Sequence, residues 1–546
     1  MKIKSLLVGM LASAAFVACT NNDELEVING NESAEKAYLA INLNYASTGS
    51  RAETEGTSTI PNFQVGSADE NAVNNVSFFF FDADGNAYAV NGTSNRLDKG
   101  YEAEENGTGD VNVEETSKPI LLIEKSKNVP PQKIVAVLNC PIEDTTISLS
   151  TLQGKVGAYN TITIKDGDKA GTYFVMSNSV YKNEVTGEAV VATDIPALSI
   201  SPDADQAKAN PVTIYVERVA AKVAVTANYA EDAESFATGV KTSEGTDIYA
   251  QITGWEVVNA KTQAPLLKGI STTWTYTWWN DATNFRSYWA TNTADEDIIK
   301  SLNWNMTNPS HRYYYENTDI ENVDNAETTQ LEGNQSYLLV KAAFVDAEGE
   351  SLAGKIAEWY GAKYTVDELK TQFANALATK IYYKTSATEA KSIKPEHITF
   401  YQESEEEDEK RYLCYAMLNP ETTADNTETE EVDETVEFVK GVDENGDFIE
   451  FEEGEIEEIL ATIRPAKIWE AGGYYYLPIA HNSEVNGLVR NHVYQMNING
   501  ITGLGTPVYD PKKLITPEKP TEDESYISAE IKVLSWKVVS NDVILQ

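Results

Sequence analysis

Apolar residues in this chain gather mostly in short runs, rich in β-branched and aromatic side chains and separated by polar turn residues. Val76-Ser-Phe-Phe-Phe-Phe81 runs into the turn Asp82-Ala-Asp-Gly85. Ile134–Leu138, Tyr173–Met176, Val212–Val216, Lys222–Thr226, Tyr337–Phe344, Ile398–Tyr401, Tyr412–Leu418 and Val493–Ile498 are likewise short, β-branched or aromatic, and bounded by turn residues. Such segments read as strands. Two stretches differ. Val366–Ala378 repeats apolar residues at three and four and predicts a short amphipathic helix, and Ser351–Tyr360 suggests another. With no strand–helix alternation anywhere, the pattern predicts an all-β protein of two antiparallel β-sandwich domains with a few short helices. The turn-rich stretch Ser201–Pro211 places the break between them just before Val212.

The two ends of the chain carry matched patterns. Near the start, Leu39, Ile41, Leu43 and Tyr45 alternate with polar or small residues. At the end, Ile527, Ala529, Ile531 and Val533 share one face, with Ser528, Glu530 and Lys532 on the other. At Val533–Leu534 the phase flips, and Leu534, Trp536 and Val538 take over the apolar face, which requires a bulge, a bend or two different partners. A linker rich in Pro, Asp and Glu, Pro507–Glu524, sets this tail apart, so it reads as a strand without a partner. A tethered terminal strand either closes its own sheet or completes a neighbour's. Between the first strand and the body, Ser47–Glu53 presents Arg51, and the next arginine is Arg96. Arg51 is therefore an isolated target for an Arg-specific protease cutting between Arg51 and Ala52. An ordinary first strand followed by a loop accounts for these residues too. The sharper reading is that the cut frees the first strand and opens a groove that another chain's tail fills.

The extreme N-terminus combines a charged Met1-Lys-Ile-Lys4, an apolar Leu6–Val17 and Phe16-Val-Ala-Cys19. This is a secretory signal with a lipoprotein-type site: residues 1–18 are removed and Cys19 is acylated. An ordinary signal peptide with an incidental cysteine is the alternative. Nothing later approaches the length of a membrane helix, so membrane contact runs only through the lipid. The expected organisation is a signal peptide at 1–18, a propeptide with the removable strand at 19–51, and an N-terminal sandwich at 52–211. A C-terminal sandwich at 212–519 with an acidic loop at 403–458 follows, and then a donor strand at 520–546.

Charge and chemistry narrow the function. A formal net charge of −43 over 546 residues argues against nucleic acid and anionic membrane surfaces as partners. Beyond Cys19 only Cys140 and Cys414 remain, both in strand-like segments, so stability rests on packing. The acidic blocks between Glu403 and Glu458 read as solvated loops. Calcium is the alternative there, but Asp443-Glu-Asn-Gly-Asp447 is only a fragment of an EF-hand loop with its glycine misplaced. His311, His397, His481 and His492 lack metal-ligand spacing. There is no G-x-S-x-G elbow or P-loop, and Gly500–Gly505 lacks the dinucleotide pattern. The expectation is no enzyme, no cofactor and no metal site. The cluster Trp274, Tyr276, Trp278 and Trp279 is either packing or a sugar-stacking platform.

The lipoprotein site, the alternating first strand and Gly49-Ser-Arg-Ala52 come first in an ordered series of motifs. Val216-Glu-Arg-Val-Ala-Ala-Lys-Val223, Phe285-Arg-Ser-Tyr-Trp-Ala290, Tyr313-Tyr-Tyr-Glu-Asn-Thr318, Arg490-Asn-His-Val-Tyr494 and Val533-Leu-Ser-Trp-Lys-Val538 follow. Together they resemble the major subunit of the short fimbriae of Bacteroidales, a type V pilin. The resemblance runs over nearly the whole chain and is least at 403–458. It implies two transthyretin-like sandwich domains, export as a lipoprotein through Cys19, and cleavage after Arg51. It further implies homopolymerisation by strand exchange with the C-terminal strand as donor, and tip and anchor subunits as partners. The location implied is a fimbrium at the outer membrane. Two other readings stay open: a lipid-anchored glycan-binding protein, and a tip or anchor subunit of the same machinery.

Overall fold

The computed structural model describes residues 35–45, 67–101, 104–105, 115–125, 129–159, 161–164, 171–182, 189–269, 303–318, 336–402, 412–423, 433–480, 487–511, 526–534 and 538–543. The chain is all-β, with short helices, and its strands build an N-terminal and a C-terminal sandwich. The N-terminal one is held by a mixed sheet whose central order is Arg96–Gly100, Asn75–Phe81, Lys133–Leu138, Met176–Asn178, Val212–Arg218 and Glu35–Tyr45. The run Phe78–Phe81 has no polar interruption because both of its faces are buried. Phe78 and Phe80 pack with Leu39, Ile41 and Ile214, while Phe79 and Phe81 pack with Val135, Val137 and, across the junction, Leu266 and Val489.

The crossing into the second sandwich lies at Val219–Ala220, one strand beyond the break expected before Val212. Val212–Arg218 pairs within the N-terminal sheet, and only Ala221–Ala227 enters the C-terminal one. The turn-rich stretch before Val212 breaks the local pattern without ending the sheet. The second sandwich packs two five-stranded sheets face to face. One contains Ser310–Tyr314, Ala221–Ala227, Val493–Thr502, Tyr526–Leu534 and Val538–Val543; the other is built on Asp247–Val258, Tyr337–Val345 and Gly473–Pro478. Trp255, Leu338, Val340, Phe344, Tyr494 and Met496 are buried between them.

Between the adjacent strands Tyr337–Val345 and Gly473–Pro478 the chain makes a long excursion with its own core of Leu369, Phe373, Leu377, Ile398, Phe400 and Cys414. Its stem is a single antiparallel pair, Ala357 opposite Ile468 and Glu358 opposite Lys467. The helix Val366–Leu377 forms as expected. Thr365 accepts the Glu368 N–H while Glu368 accepts the Thr365 N–H, which satisfies two orphan amides of the first turn. The second expected helix does not form: the segment ends in the strand Ala357–Trp359, paired with Ala362–Tyr364. Gly354 and Gly361 sit at φ 73° and 77°, in the left-handed region that interrupts a right-handed helix.

The short acidic turns are structural. Asp443 Oδ1 accepts the N–H groups of Asn445 and Asp447 at 2.8 and 2.9 Å, and Asp82 and Asp346 cap their own turns in the same way. The carboxylate is thus already committed to the backbone. Cys140 and Cys414 are free thiols buried in different cores.

Candidate assembly site

The first strand, Glu35–Tyr45, is an interior strand of its sandwich. Its N-terminal half pairs antiparallel with Ile120–Lys125, from Glu35 opposite Lys125 to Ala40 opposite Ile120. Its C-terminal half lies parallel to Val212–Val216, Ile41 opposite Val212 and Tyr45 opposite Val216, with Glu115–Ser117 antiparallel on the other side. Leu39, Ile41 and Leu43 are all fully buried, together with Ala37. Burying side chains of this size contributes roughly 1.5–3 kcal/mol each. Taking this strand away would strip ladder partners from both flanks and leave a groove floored by Phe78, Phe80, Ile134 and Ile214. Cys19, Arg51 and Ala52 lie outside the described residues, as does the side chain of Tyr45.

The tail has a partner after all. Tyr526–Leu534 pairs antiparallel with Val493–Thr502 in the chain's own C-terminal sheet, with Val533 opposite Tyr494, Ile531 opposite Met496, Ala529 opposite Ile498 and Ile527 opposite Ile501. Directly opposed residues share one sheet face. The alternation of Ile527, Ala529, Ile531 and Val533 therefore falls in register with the buried row Tyr494, Met496, Ile498 and Ile501. The phase flip is a reversal of direction: Val538–Val543 folds back on Tyr526–Leu534, with Leu534 opposite Val538. Sequence pattern demanded a bulge, a bend or a second partner, and a hairpin meets the same demand. Trp536 lies outside the described residues.

Sequence reasoning missed the wall that joins the two places. Val212–Arg218 flanks the first strand; three residues later Ala221–Ala227 runs parallel to Val493–Ile498, the strand on which the tail rests. At the joint the chain buries charge. The Lys268 ammonium lies 2.9 Å from one Glu217 oxygen and donates to the other at 3.0 Å. Arg490 Nε donates to Glu316 at 2.9 Å, and both of those side chains are fully buried. Arg218 Nε donates to the Glu70 carbonyl at 2.8 Å, and Lys222 Nζ donates to the Glu70 carboxylate at 2.8 Å. Burial alone would raise the Glu70 carboxyl, but hydrogen bonds from Lys222, Tyr313 and the Ser67 N–H outweigh it and hold the group below its ordinary range. For Glu217 burial wins over Lys268 and Arg490, and its carboxyl is raised. The available signal was Glu217-Arg218 inside an otherwise apolar strand, since charges there are buried only when paired.

The excursion's acidic stretch is partly described: Asp433–Thr435, Phe438–Val439, Gly441–Val442 and Phe448–Ile449 are short strands, and Glu455–Ala461 is a helix. The Trp274–Trp279 cluster lies outside the described residues.

A search among curated proteins finds no match. Among solved structures, fimbrilin (fimA) from Porphyromonas gingivalis W83 aligns at 11% identity and TM-score 0.35, covering 94% of this chain and 99% of that one. The tip fimbrial protein Mfa3 from Porphyromonas gingivalis aligns at 13% identity and TM-score 0.31, covering 92% and 100%. A fimbrial assembly protein from Parabacteroides distasonis ATCC 8503 aligns at 12% identity and TM-score 0.28, covering 56% and 82%. Residues 469–542 match the family model described as major fimbrial subunit protein type IV, Fimbrillin, C-terminal. The segment from Trp469 through both tail strands is thus similar to the C-terminal part of fimbrillins.

Proposed function

We propose that the chain is a structural subunit of a cell-surface fimbria, not an enzyme, and that it polymerises by exchanging strands. The observation that carries this reading is the first strand: an N-terminal segment, joined to the body through the stretch that holds Arg51, occupies an interior position with Leu39, Ile41 and Leu43 fully buried. The fimbrillin-like match over the tail supports it from the other end. In this reading the precursor is exported, acylated at Cys19 and cut between Arg51 and Ala52. The first strand leaves, and the tail of a second copy takes its place beside Val212–Val216.

The energetics favour exchange over simple loss. An open groove leaves buried ladder groups and apolar side chains facing water. An incoming strand restores main-chain bonds of roughly 0.5–1.5 kcal/mol each while its alternate side chains refill the floor. The donor strand gives up its pairing with Val493–Thr502 and Val538–Val543, so the process trades two antiparallel partners in its own sheet for two in the groove of a second copy. Donor and groove lie on different sandwiches, so the contact is heterologous and propagates as a filament. Tip and anchor subunits are the partners that would end it, with an Arg-specific protease as the trigger.

The test uses residues 20–546, an Arg-specific protease and unboiled samples on a denaturing gel. A ladder that appears only after cleavage at Arg51, and is lost with Ile531→Asp, is expected. Clean cleavage that leaves a monomer would overturn the shaft reading. An anchor role predicts the same fold with the first strand retained in the assembled fimbria.

A further inference from the structure

Away from both strands, a cleft of about 300 Å³ opens at the side of the C-terminal sandwich, at the small end of the range for ligand sites. Its frame is fixed before anything binds. The strand Asp247–Val258 shifts register between Ile252 and Gly254, and there the segment 303–308 crosses close to it. A Cβ on Gly254 would lie 3.1 Å from the Trp304 side chain and 3.2 Å from Met306 Sδ, so any larger residue there would have to displace those side chains by a few tenths of an ångström. Trp255 and Asn305 exchange backbone hydrogen bonds, and Asn308 caps the exposed edge of Ala227 from both sides. The Tyr229 hydroxyl accepts the Ile252 N–H at 3.0 Å while its ring packs on Phe236, which locks that aromatic at the rim.

What the cleft offers is specific in kind. Its floor is apolar, from Val225, Ile252 and Trp255. Its rim carries Glu234, Gln251, Asn305 and Thr307. Among the described residues, the side chains of Glu234 and Gln251 make no hydrogen bond, and Asn305 uses only its oxygen, which accepts the Thr307 N–H. One carboxylate and no cation among the lining residues exclude an anion. The volume suits a single small ring. A floor that accepts an apolar ring face, under a rim of planar acceptors and donors, suits a ring whose edge is lined with hydroxyls.

From this combination we infer that the cleft is a site for one neutral hexose or hexosamine ring, the terminal unit of a glycan. Glu234 and Gln251 take ring hydroxyls, and the ring face lies on the apolar floor beside Tyr229. The inference does not depend on the fimbrial reading, since every lining residue belongs to a single chain. If the chain polymerises, each subunit repeats the site, and an affinity that is weak for one copy becomes strong along the filament.

Methionine-methyl NMR on residues 20–546 tests it directly, because Met306 is 68% exposed at the cleft while Met176 and Met496 are fully buried elsewhere. Methyl β-galactoside, methyl α-mannoside and N-acetylglucosamine are titrated, with N-acetylneuraminic acid as the anionic control. We expect at least one neutral sugar to move the Met306 resonance saturably while Met176 and Met496 stay still. The anionic sugar should have no effect. Glu234→Gln/Gln251→Ala should weaken that response about tenfold with unchanged thermal unfolding. No Met306 shift with any neutral sugar, an unaltered response in the double variant, or an equal response to the anionic sugar would each overturn the assignment. Because the uncut monomer is used, the outcome is separate from whether the chain assembles.

Discussion

At the scale of single residues, the junction between the sandwiches is where stability depends on buried, paired charge. Arg490 and Glu316 are both fully buried and paired, and Arg490 also donates to the carbonyls of Pro265 and Leu266. Removing one partner of such a pair leaves an uncompensated buried charge, which costs about 3–5 kcal/mol. Arg490→Met is therefore expected to lower the urea midpoint strongly, and Glu316→Met/Arg490→Met to recover part of that loss. Equal losses in the single and double variants would mean that the carbonyl contacts, not the ion pair, carry the effect. Glu70 supplies a second test. Its carboxyl is held below the ordinary value of 4.5, so its contribution to stability is full above that pH and is lost as pH falls through its lowered folded value. Glu217 has the opposite sign, because its raised carboxyl favours the folded state as it takes up a proton. The stability difference between wild type and Glu70→Gln isolates the first term. It should be constant at neutral pH and shrink below about pH 4.5. A difference that stays flat into acid would show that Glu70 acts as a neutral hydrogen-bond acceptor only.

At the scale of elements, the first strand and the tail make opposite demands on stability. In the uncut chain Ile41 is fully buried in the N-terminal core, so Ile41→Ala should cost about 2–5 kcal/mol in the unfolding of that sandwich. Deleting residues 526–546 should act elsewhere. It turns Val493–Thr502 into an edge strand, so hydrogen exchange should speed up there and remain unchanged in Glu35–Tyr45. Faster exchange in both strands would indicate coupling through the continuous wall Val212–Ala227. These cases also mark what the sequence disclosed. Strand positions were legible because a period of two states which face is buried, as with Leu39, Ile41 and Leu43. Partners were not, because alternation says that a strand needs a neighbour and not which one. The tail's own sheet, and the return of Val538–Val543 along Tyr526–Leu534, became visible only when Val493–Thr502 was seen beside it. The helix expected at Ser351–Tyr360 failed for a local reason, the left-handed glycines at 354 and 361.

At the scale of the whole molecule, the excursion between Tyr337–Val345 and Gly473–Pro478 is an insertion into a complete sandwich. Residues 359–466 contain 27 of the acidic residues and 10 of the Lys and Arg, so a fifth of the chain supplies a formal −17 of the total −43. That imbalance is densest in one module with its own core, and the sandwich core receives only residues at its base, including Leu352, Ile356 and Trp469. Glu358 and Lys467 lie directly opposite each other in the antiparallel stem, so an Asn-Gly turn can join them without moving either strand. The shortened chain is expected to unfold cooperatively, to keep its β circular dichroism, and to give the same ladder after cleavage at Arg51. It should also associate more readily at high concentration. Tyr412 of the module packs with Tyr337, Leu339, Tyr474 and Val508, and its removal bares that apolar face while taking away much of the charge that keeps copies apart. An unfolded product would mean that the module nucleates or supports the sandwich. A folded product that cleaves yet stays monomeric would place part of the assembly surface on the module and not on the two strands alone.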